Sequence, residues 1–183
     1  MSKAPRAETT RLTENEGMLL ALVLRQQPVK PYQLHKIYEN SPISSINASK
    51  GQVYPAIRRL KERGLIESKK VEGDGRNPET LVATEAGVEA VRRWVNDIDD
   101  AHIVLDDPLR TRLLSLELLG PQERLEWVAR AKALVKERSE RVETYNRSVT
   151  LPFQDHVARN ARKMLHGKME WLDELLYDLA QRK

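Results

Sequence analysis

Residues 49–67 of this chain read Ser-Lys-Gly-Gln-Val-Tyr-Pro-Ala-Ile-Arg-Arg-Leu-Lys-Glu-Arg-Gly-Leu-Ile-Glu, the pattern of a capped amphipathic helix that runs into a strand. Ser49, with Gln52 three residues later, has the spacing of a capping box. One apolar face follows at helical spacing and consists of Val53, Ile57 and Leu60. Gly64 stands where a left-handed residue closes many helices. We therefore predict a helix that ends at Gly64 and a strand directly after it.

The opposite face of this predicted helix is polar and basic. It carries Gly51, Gln52, Pro55, Arg58 and Arg59. A glutamine can pair with adenine or a phosphate, and an arginine can pair with guanine or a phosphate. The proline inside the helix removes one backbone hydrogen bond, and local rules tend to be broken at functional sites. The alternative is an ordinary surface helix with a solvated basic side.

The flanking sequence places this helix third in a helix-turn-helix with a wing. A capping box at Thr13 and Glu16 opens a first helix, and Pro31 opens a second one that ends near Asn40. After the third helix, residues 65–72 and 79–83 have the patterns of two strands with a turn-rich segment between them. A hairpin directly after the third helix, which we call the reading helix, makes a winged helix. The basic residues of the hairpin would follow the phosphate backbone. The alternative for the hairpin is a solvated tip.

Composition excludes several classes of function. The chain has 183 residues and a formal net charge of +4, and residues 50–76 alone carry eight Lys or Arg against four Asp or Glu. Because there is no cysteine, the chain has no disulfide or thiol nucleophile, and we expect a cytoplasmic protein. The longest apolar run is too short to cross a membrane. The four histidines are scattered and no phosphate-binding or nucleophile motif appears, so we predict neither an enzyme nor a cofactor.

An acidic segment separates the winged helix from a second, helical half. The carboxylates of residues 97–102 and 106–107, with His102, could be drawn as a metal site. Their spacing matches no ligand motif, so we predict a solvated hinge and no metal. We divide the chain into a flexible arm (residues 1–12), a winged helix-turn-helix (13–100) and a helical dimerisation domain (107–183). The predicted fold class is mainly α.

The last predicted helix carries more apolar surface than one neighbour needs. One stripe is Ala158, Ala161, Leu165, Met169, Leu172, Leu176 and Leu179, and a second is Met164, Trp171 and Leu175. Because a small domain cannot easily cover both stripes, we predict a partner helix, most simply from a second copy of the chain. The predicted dimerisation residues are Leu165, Met169, Trp171, Leu172, Leu175, Leu176 and Leu179. The alternative is that the whole surface packs within one chain.

These motifs resemble the PadR family of bacterial transcriptional regulators. The resemblance rests on Gly51-Gln-Val-Tyr-Pro-Ala-Ile-Arg-Arg-Leu60, on Gly64-Leu-Ile66 and on Thr84-Glu-Ala-Gly87. The helical second half is similar to that of the longer members. The chain departs from the family pattern in two places. Proline precedes Tyr32 where the family has glycine, and Leu81 stands near the position where the family has a wing tyrosine.

The resemblance implies a homodimeric repressor that binds palindromic double-stranded DNA and that a small ligand, aromatic or phenolic in some relatives, could release. It also implies that Tyr54 contacts the DNA backbone. The predicted DNA contacts are Ser49, Lys50, Gln52, Tyr54, Arg58, Arg59, Lys69 and Arg76. The alternative function is a winged-helix scaffold that binds protein, and such a scaffold need not keep Gln52, Arg58 and Arg59 away from acids.

Overall fold

The computed structural model describes residues 11–40, 50–70, 79–103 and 107–181, without the side chains of residues 38–40, 50, 51 and 70. The chain forms two compact units, residues 1–104 and 105–183. The elements in chain order are α1 (Glu14–Gln26), α2 (Pro31–Asn40), α3 (Lys50–Glu62), β1 (Ile66–Lys70), β2 (Glu79–Ala83), α4 (Glu85–Asn96), α5 (Pro108–Leu113), α6 (Pro121–Ser148) and α7 (Gln154–Gln181). Short 3-10 turns lie at Asp100–His102 and Leu116–Leu118. The predicted fold class, mainly α with an N-terminal winged helix-turn-helix and a helical second half, is confirmed.

The first unit is organised around the inner faces of α1 and α3. The predicted capping box is present at the start of α1, where Thr13 Oγ1 accepts from the N–H of Glu16 and the Glu16 carboxylate accepts from the N–H of Thr13. The core consists of Leu12, Leu19, Leu20, Val23, Val29, Leu34, Val53, Ala56, Ile57, Leu60, Leu65, Ile66, Leu81 and Ala90. Leu12 was predicted to belong to a flexible arm. That prediction is wrong for Leu12, because its side chain is buried in this core.

The wing is a two-stranded antiparallel sheet. β1 pairs with β2 in a register that places Ile66 opposite Ala83 and Lys70 opposite Glu79. Val29, in the segment between α1 and α2, forms an additional antiparallel bridge to Leu81. Leu81 is fully buried, so it anchors the wing to the core of the first unit instead of facing solvent.

The second unit is an antiparallel hairpin of α6 and α7, with α5 packed against it. Lys132 pairs with Asp173, and Glu143 pairs with Arg162 at 2.6 Å. The two positions on α6 are 11 residues apart (132 and 143), as are the two on α7 (173 and 162), in the opposite direction. This fixes an antiparallel register without an irregularity between the two pairs. The core between the helices consists of Val128, Ala131, Val135 and Leu172.

Both long helices of the second unit are amphipathic. No helix in the described part of the chain combines the length and the apolarity that a membrane crossing requires. This agrees with the charged and polar residues that interrupt the apolar positions of α6 and α7.

Candidate nucleic-acid interface

Helix α3 presents a sharply divided surface. Its inner face, Val53, Ala56, Ile57 and Leu60, is buried in the core of the first unit. Its outer face leaves Gln52, Arg58 and Arg59 exposed, and Tyr54 is 45% exposed. The helix continues through Pro55, as predicted, although proline has no N–H to donate within the helix. The structure therefore holds the four polar side chains on one solvent-facing surface of a rigid element.

Arg59 forms an ion pair with an acid, which differs from the prediction of an outer face without nearby acids. Its Nε donates to Oε1 of Glu16 at 2.8 Å, and Nη1 of Arg63 donates to Oε2 of the same carboxylate at 3.0 Å. Glu16 belongs to α1 and is only 4% exposed. Burial by itself would raise the pKa of Glu16, but the hydrogen bonds from Arg59 and the Thr13 N–H, with the charge of Arg63, hold it below the ordinary value. The carboxylate is therefore ionised and links α1 to the end of α3.

Arg58 stands apart from that cluster. Its Nε lies 3.7 Å from Oε1 of Glu62, one turn further along α3, and both side chains are largely exposed. An exposed pair at i and i+4 contributes only about 0.3–0.5 kcal/mol. Arg58 can therefore leave Glu62 for a stronger anionic partner, such as a phosphate or a base edge, at small cost.

Two of the described charges of the wing, Lys69 and Glu79, lie toward the end of the sheet where Lys70 pairs with Glu79. Lys69 on β1 is exposed and lies 3.6 Å from Glu67. Glu79 at the start of β2 accepts from the ammonium of Lys61 and from the hydroxyl of Ser68, and these hydrogen bonds hold the pKa of Glu79 below its ordinary value. The Lys61 pair ties the end of α3 to the wing. The predicted contacts Ser49 and Arg76, and the side chain of Lys50, lie outside what the structure describes.

The acidic segment after α4 is exposed, as a solvated hinge would be, but its charged groups also form ion pairs. Arg11 pairs with Asp97 at 2.7 Å and with Asp99 at 2.9 Å. His102 Nε2 lies 3.3 Å from Oε1 of Glu14, which also accepts from the indole N–H of Trp94. Among the described residues, no group of three or more His, Asp or Glu side chains is arranged to hold a metal. The segment is instead attached to the start of α1 through ion pairs.

Asp107 is likewise engaged at the start of the second unit. Its carboxylate caps α5 by accepting from the N–H of Leu109 at 3.0 Å, and it lies 2.8 Å from the ammonium of Lys168. Burial would raise the pKa of Asp107, but the Lys168 ammonium and the Leu109 N–H hold it below its ordinary value. The prediction of a solvated carboxylate here is wrong, because the folded hairpin brings Lys168 from α7 to this helix start.

The predicted dimerisation residues occupy two different environments. Leu172 is fully buried between α6 and α7, so its assignment to a surface is wrong. The other six are partly buried against the same core, namely Leu165, Met169, Trp171, Leu175, Leu176 and Leu179. Much of the first stripe therefore packs within one chain. Met164 of the second stripe is 68% exposed.

Comparison with known proteins identifies the first unit. The family model described as the transcriptional regulator PadR-like family matches residues 19–93, from α1 to α4. This match covers the winged domain, and the helical second unit lies outside it. The family resemblance stated from the sequence is confirmed, and the family is one of transcriptional regulators. No curated protein matches the chain at a significant level.

PadR-like regulators of known structure share the fold over both units. The Bacillus subtilis PadR structure in complex with operator DNA is 16% identical, covers 90% of this chain and 98% of its own, and has a TM-score of 0.75. The same regulator in complex with p-coumaric acid is 15% identical, with coverages of 91% and 98% and a TM-score of 0.75. The Vibrio cholerae virulence activator AphA is 17% identical, with coverages of 93% and 100% and a TM-score of 0.70. At these identities the likeness establishes the fold.

The PadR-like pattern after α3 has a physical explanation in this chain. Gly64 has φ +67°, and the N–H groups of Leu65 and Gly64 donate to the carbonyls of Leu60 and Lys61, which closes the helix in a Schellman turn. Thr84 Oγ1 accepts from the N–H of Gly87 at 3.0 Å and donates to the carbonyl of Gly64 at 2.8 Å. A Cβ at Gly87 would lie 2.1 Å from the carbonyl oxygen of Leu65. The two motifs are therefore one joint between α3, the wing and α4.

Sequence reasoning missed Glu16 as part of this surface, although it identified the capping box. A signal was present. Glu16 lies on the same stripe of α1 as Leu19, Leu20 and Val23, at spacings of three, four and seven residues. A charge on the apolar stripe of a helix requires a partner in the folded protein, because burying an unpaired charge is costly.

Proposed function

We propose that this chain is a homodimeric, sequence-specific DNA-binding transcriptional regulator that acts as a repressor. The observation that carries the proposal is the outer face of α3, where Gln52, Tyr54, Arg58 and Arg59 project together from the third helix of a PadR-like winged helix. Arginine and glutamine are the residues that read guanine and adenine in the major groove, and a tyrosine hydroxyl can donate to a phosphate. A related fold, that of Bacillus subtilis PadR, is known in complex with operator DNA.

The protein-binding scaffold remains the competing function. A protein-binding scaffold need not keep the outer face of α3 away from acids, and Glu16 does pair with Arg59. Only Nε of Arg59 takes part in that pair, however, and the side chain is still 47% exposed. Within the described ranges the two Nη groups have no acceptor and can take another partner. The ion pair is therefore compatible with DNA binding and does not favour the scaffold.

The second copy of the chain would pack on one side of the α6–α7 hairpin. The pairs Lys132–Asp173 and Glu143–Arg162 lie along one side of the hairpin. At about 100° per residue, Leu134 of α6 and the line of Met164 and Trp171 on α7 fall on the other side. The register set by the ion pairs places Leu134, 61% exposed, opposite Trp171. Exposed apolar side chains of this kind are what a helical dimer buries.

Release by a small ligand is the remaining part of the proposal. On the polar side of the hairpin a groove of about 240 Å³ has an apolar floor of Val142, Leu165 and Met169. Its rim includes the ammonium of Lys136 and the ion pair between Arg162 and Glu143, so Lys136 supplies the cation that is not in that pair. This combination would suit a small organic acid with an apolar body, and p-coumaric acid, the ligand in one neighbour's structure, belongs to that class.

The decisive experiment measures sequence-selective DNA binding. Fluorescence anisotropy would compare a duplex from the region upstream of the protein's own gene with a scrambled duplex, at low and at physiological salt. Selective binding that persists at the higher salt supports the proposal. Equal, weak binding to both duplexes that disappears with salt would indicate only a basic surface and would refute it.

Arg58→Ala gives the residue-level test of the same proposal. We expect it to weaken operator binding by about 1–3 kcal/mol, because a bidentate arginine contributes that much at a base. Arg92→Ala on α4 is the matched control, since Arg92 is equally exposed (74% against 76%) and also pairs with a glutamate on its own helix. An equal loss on operator and scrambled DNA would reduce Arg58 to a phosphate contact.

A further inference from the structure

The carboxylate of Glu16 is buried and ionised, and both of its oxygens accept hydrogen bonds. Its Oε1 accepts from Arg59 Nε at 2.8 Å, and its Oε2 accepts from Arg63 Nη1 at 3.0 Å and from the N–H of Thr13 at 3.2 Å. The side chain is 5% exposed. Two cations surround one anion, so the cluster keeps a net positive charge. A capping role for α1 requires only the Thr13 contact, which leaves the two arginine contacts without a role in the cap.

The contact with Arg59 fixes the orientation of its guanidinium. An arginine held through Nε has its planar group anchored on one edge, while the two Nη groups point away from the anchor. In the described part of the chain these Nη groups have no partner, and the side chain is 47% exposed. The outward edge of the fork matches the two acceptors of guanine, O6 and N7, or two phosphate oxygens.

Arg58, the neighbouring cation, has no such anchor. Among the residues that the structure describes, its paired acid is the exposed Glu62 at 3.7 Å, beyond hydrogen-bond distance. On binding DNA, Arg58 must therefore lose the rotamer freedom of a long exposed side chain. Arg59 has already lost much of that freedom in the folded protein. The two adjacent arginines thus differ in how strongly they are preorganised.

We infer that Glu16 is a positioning residue for DNA recognition, which holds Arg59 in the orientation that reads the operator. The inference rests on the proposed function and adds to it a residue outside the reading helix. Glu16 does not touch DNA itself. It acts from α1, 43 positions earlier in the chain, through the single hydrogen bond to Arg59 Nε.

Glu16→Gln tests this role, because it keeps the size of the side chain and removes the charge that holds Arg59. We expect about a tenfold loss of affinity for the operator and a smaller change for scrambled DNA, since one oriented arginine supplies discrimination of that order. Thr13→Ala is the control for stability. It removes the other half of the same cap, the bond from Glu16 N–H to Thr13 Oγ1, without a change at Arg59. We expect its operator selectivity to equal that of the wild type.

A double-mutant cycle separates positioning from a general effect on the fold. In an Arg59→Ala background, Glu16→Gln should cause no further loss of operator affinity, because the residue through which it acts is absent. Arg59→Lys tests the same point while keeping a positive charge beside the buried Glu16 carboxylate. Lysine keeps the charge but has no fork, so we expect it to lose selectivity as Glu16→Gln does.

Two results would overturn the inference while leaving the proposed function intact. One is selective binding by the wild type with unchanged selectivity in Glu16→Gln or Arg59→Lys. The other is an equal effect of Glu16→Gln with and without Arg59. Absence of selective binding by the wild type would instead refute the proposed function, and this role with it.

Discussion

Gly87 offers a test of the joint between α3, the wing and α4. Gly87 is the third residue of α4, a helical position at which alanine would ordinarily be more stable than glycine by about 1 kcal/mol. The structure predicts the opposite sign for Gly87→Ala. The new Cβ would lie 2.1 Å from the carbonyl oxygen of Leu65, and that oxygen is backbone, so it cannot turn aside as a side chain would.

The size of the effect follows from the displacement that is needed. A real Cβ essentially never lies closer than 3.0 Å to such an atom, so Leu65 and α4 must separate by about 0.9 Å, the difference between 3.0 and 2.1 Å. Such overpacking costs about 1–3 kcal/mol. The Thr84 N–H bond to the Leu65 carbonyl and the Thr84 hydroxyl bond to Gly64 would stretch, at about 0.5–1.5 kcal/mol each. After the gain of about 1 kcal/mol in helix propensity is subtracted, we expect a loss of about 1–5 kcal/mol.

Urea denaturation followed by far-UV circular dichroism measures this loss. Gly167→Ala is the matched control, because Gly167 lies inside α7 and a Cβ there would meet no atom within 4 Å. We expect that control to stabilise the protein by about 0.5–1 kcal/mol. If Gly87→Ala left the free energy of unfolding unchanged or raised it, Leu65 would not lie against Gly87, and the account of the joint would be wrong.

Two further predictions concern the second unit and the segment after α4. If the proposed dimer forms, Met164→Glu should turn it into monomers in light scattering, whereas Tyr177→Glu, at the same exposure on the polar side of α7, should not. A dimer with Glu at 164 would remove that side of the hairpin from the proposed interface. The hydrogen bond to Glu14, with Asp99 nearby, raises the pKa of His102. The stability that the charged imidazole contributes is therefore fully present below about pH 6.5, the pKa in the unfolded chain. It is lost as the pH rises through the pKa of the folded protein. An NMR titration should give His102 a pKa above 6.5, and His102→Gln should flatten the dependence of unfolding on pH over that window; a pKa at or below 6.5 would contradict the assignment.

Local pattern gave accurate elements where one signal acted alone. The observed bounds of α3, Lys50 to Glu62, lie within one or two residues of the prediction, and Gly64 adopts the left-handed conformation expected from its place after the last turn. Proline at the first position of α2 also marked a helix start correctly. These features depend on the backbone preferences of a few neighbouring residues, which a single sequence contains.

The errors share a different cause, namely partners that are distant in sequence. Arg59 pairs with a residue 43 positions away, and Asp99 with Arg11, 88 positions away. Local periodicity carries no information on such pairs, so an acid near one end of the chain could not be weighed against an arginine on α3. Leu172 was misassigned for a related reason. A helical wheel identifies apolar stripes, but not which of two adjacent stripes faces the neighbouring helix of the same chain.

Closure of the wing at its base has a consequence for how regulators of this kind diverge. The bonds of Thr84 to Gly64, Leu65 and Gly87 hold the two ends of the hairpin together irrespective of the chain between Lys70 and Glu79. Doubling the length of a flexible loop costs only about 0.6 kcal/mol. Insertions, deletions and new charges can therefore accumulate in that segment while the reading helix keeps its place. The sequence beyond Lys70 and the placement of α3 are therefore separately evolvable, because a change in one need not displace the other.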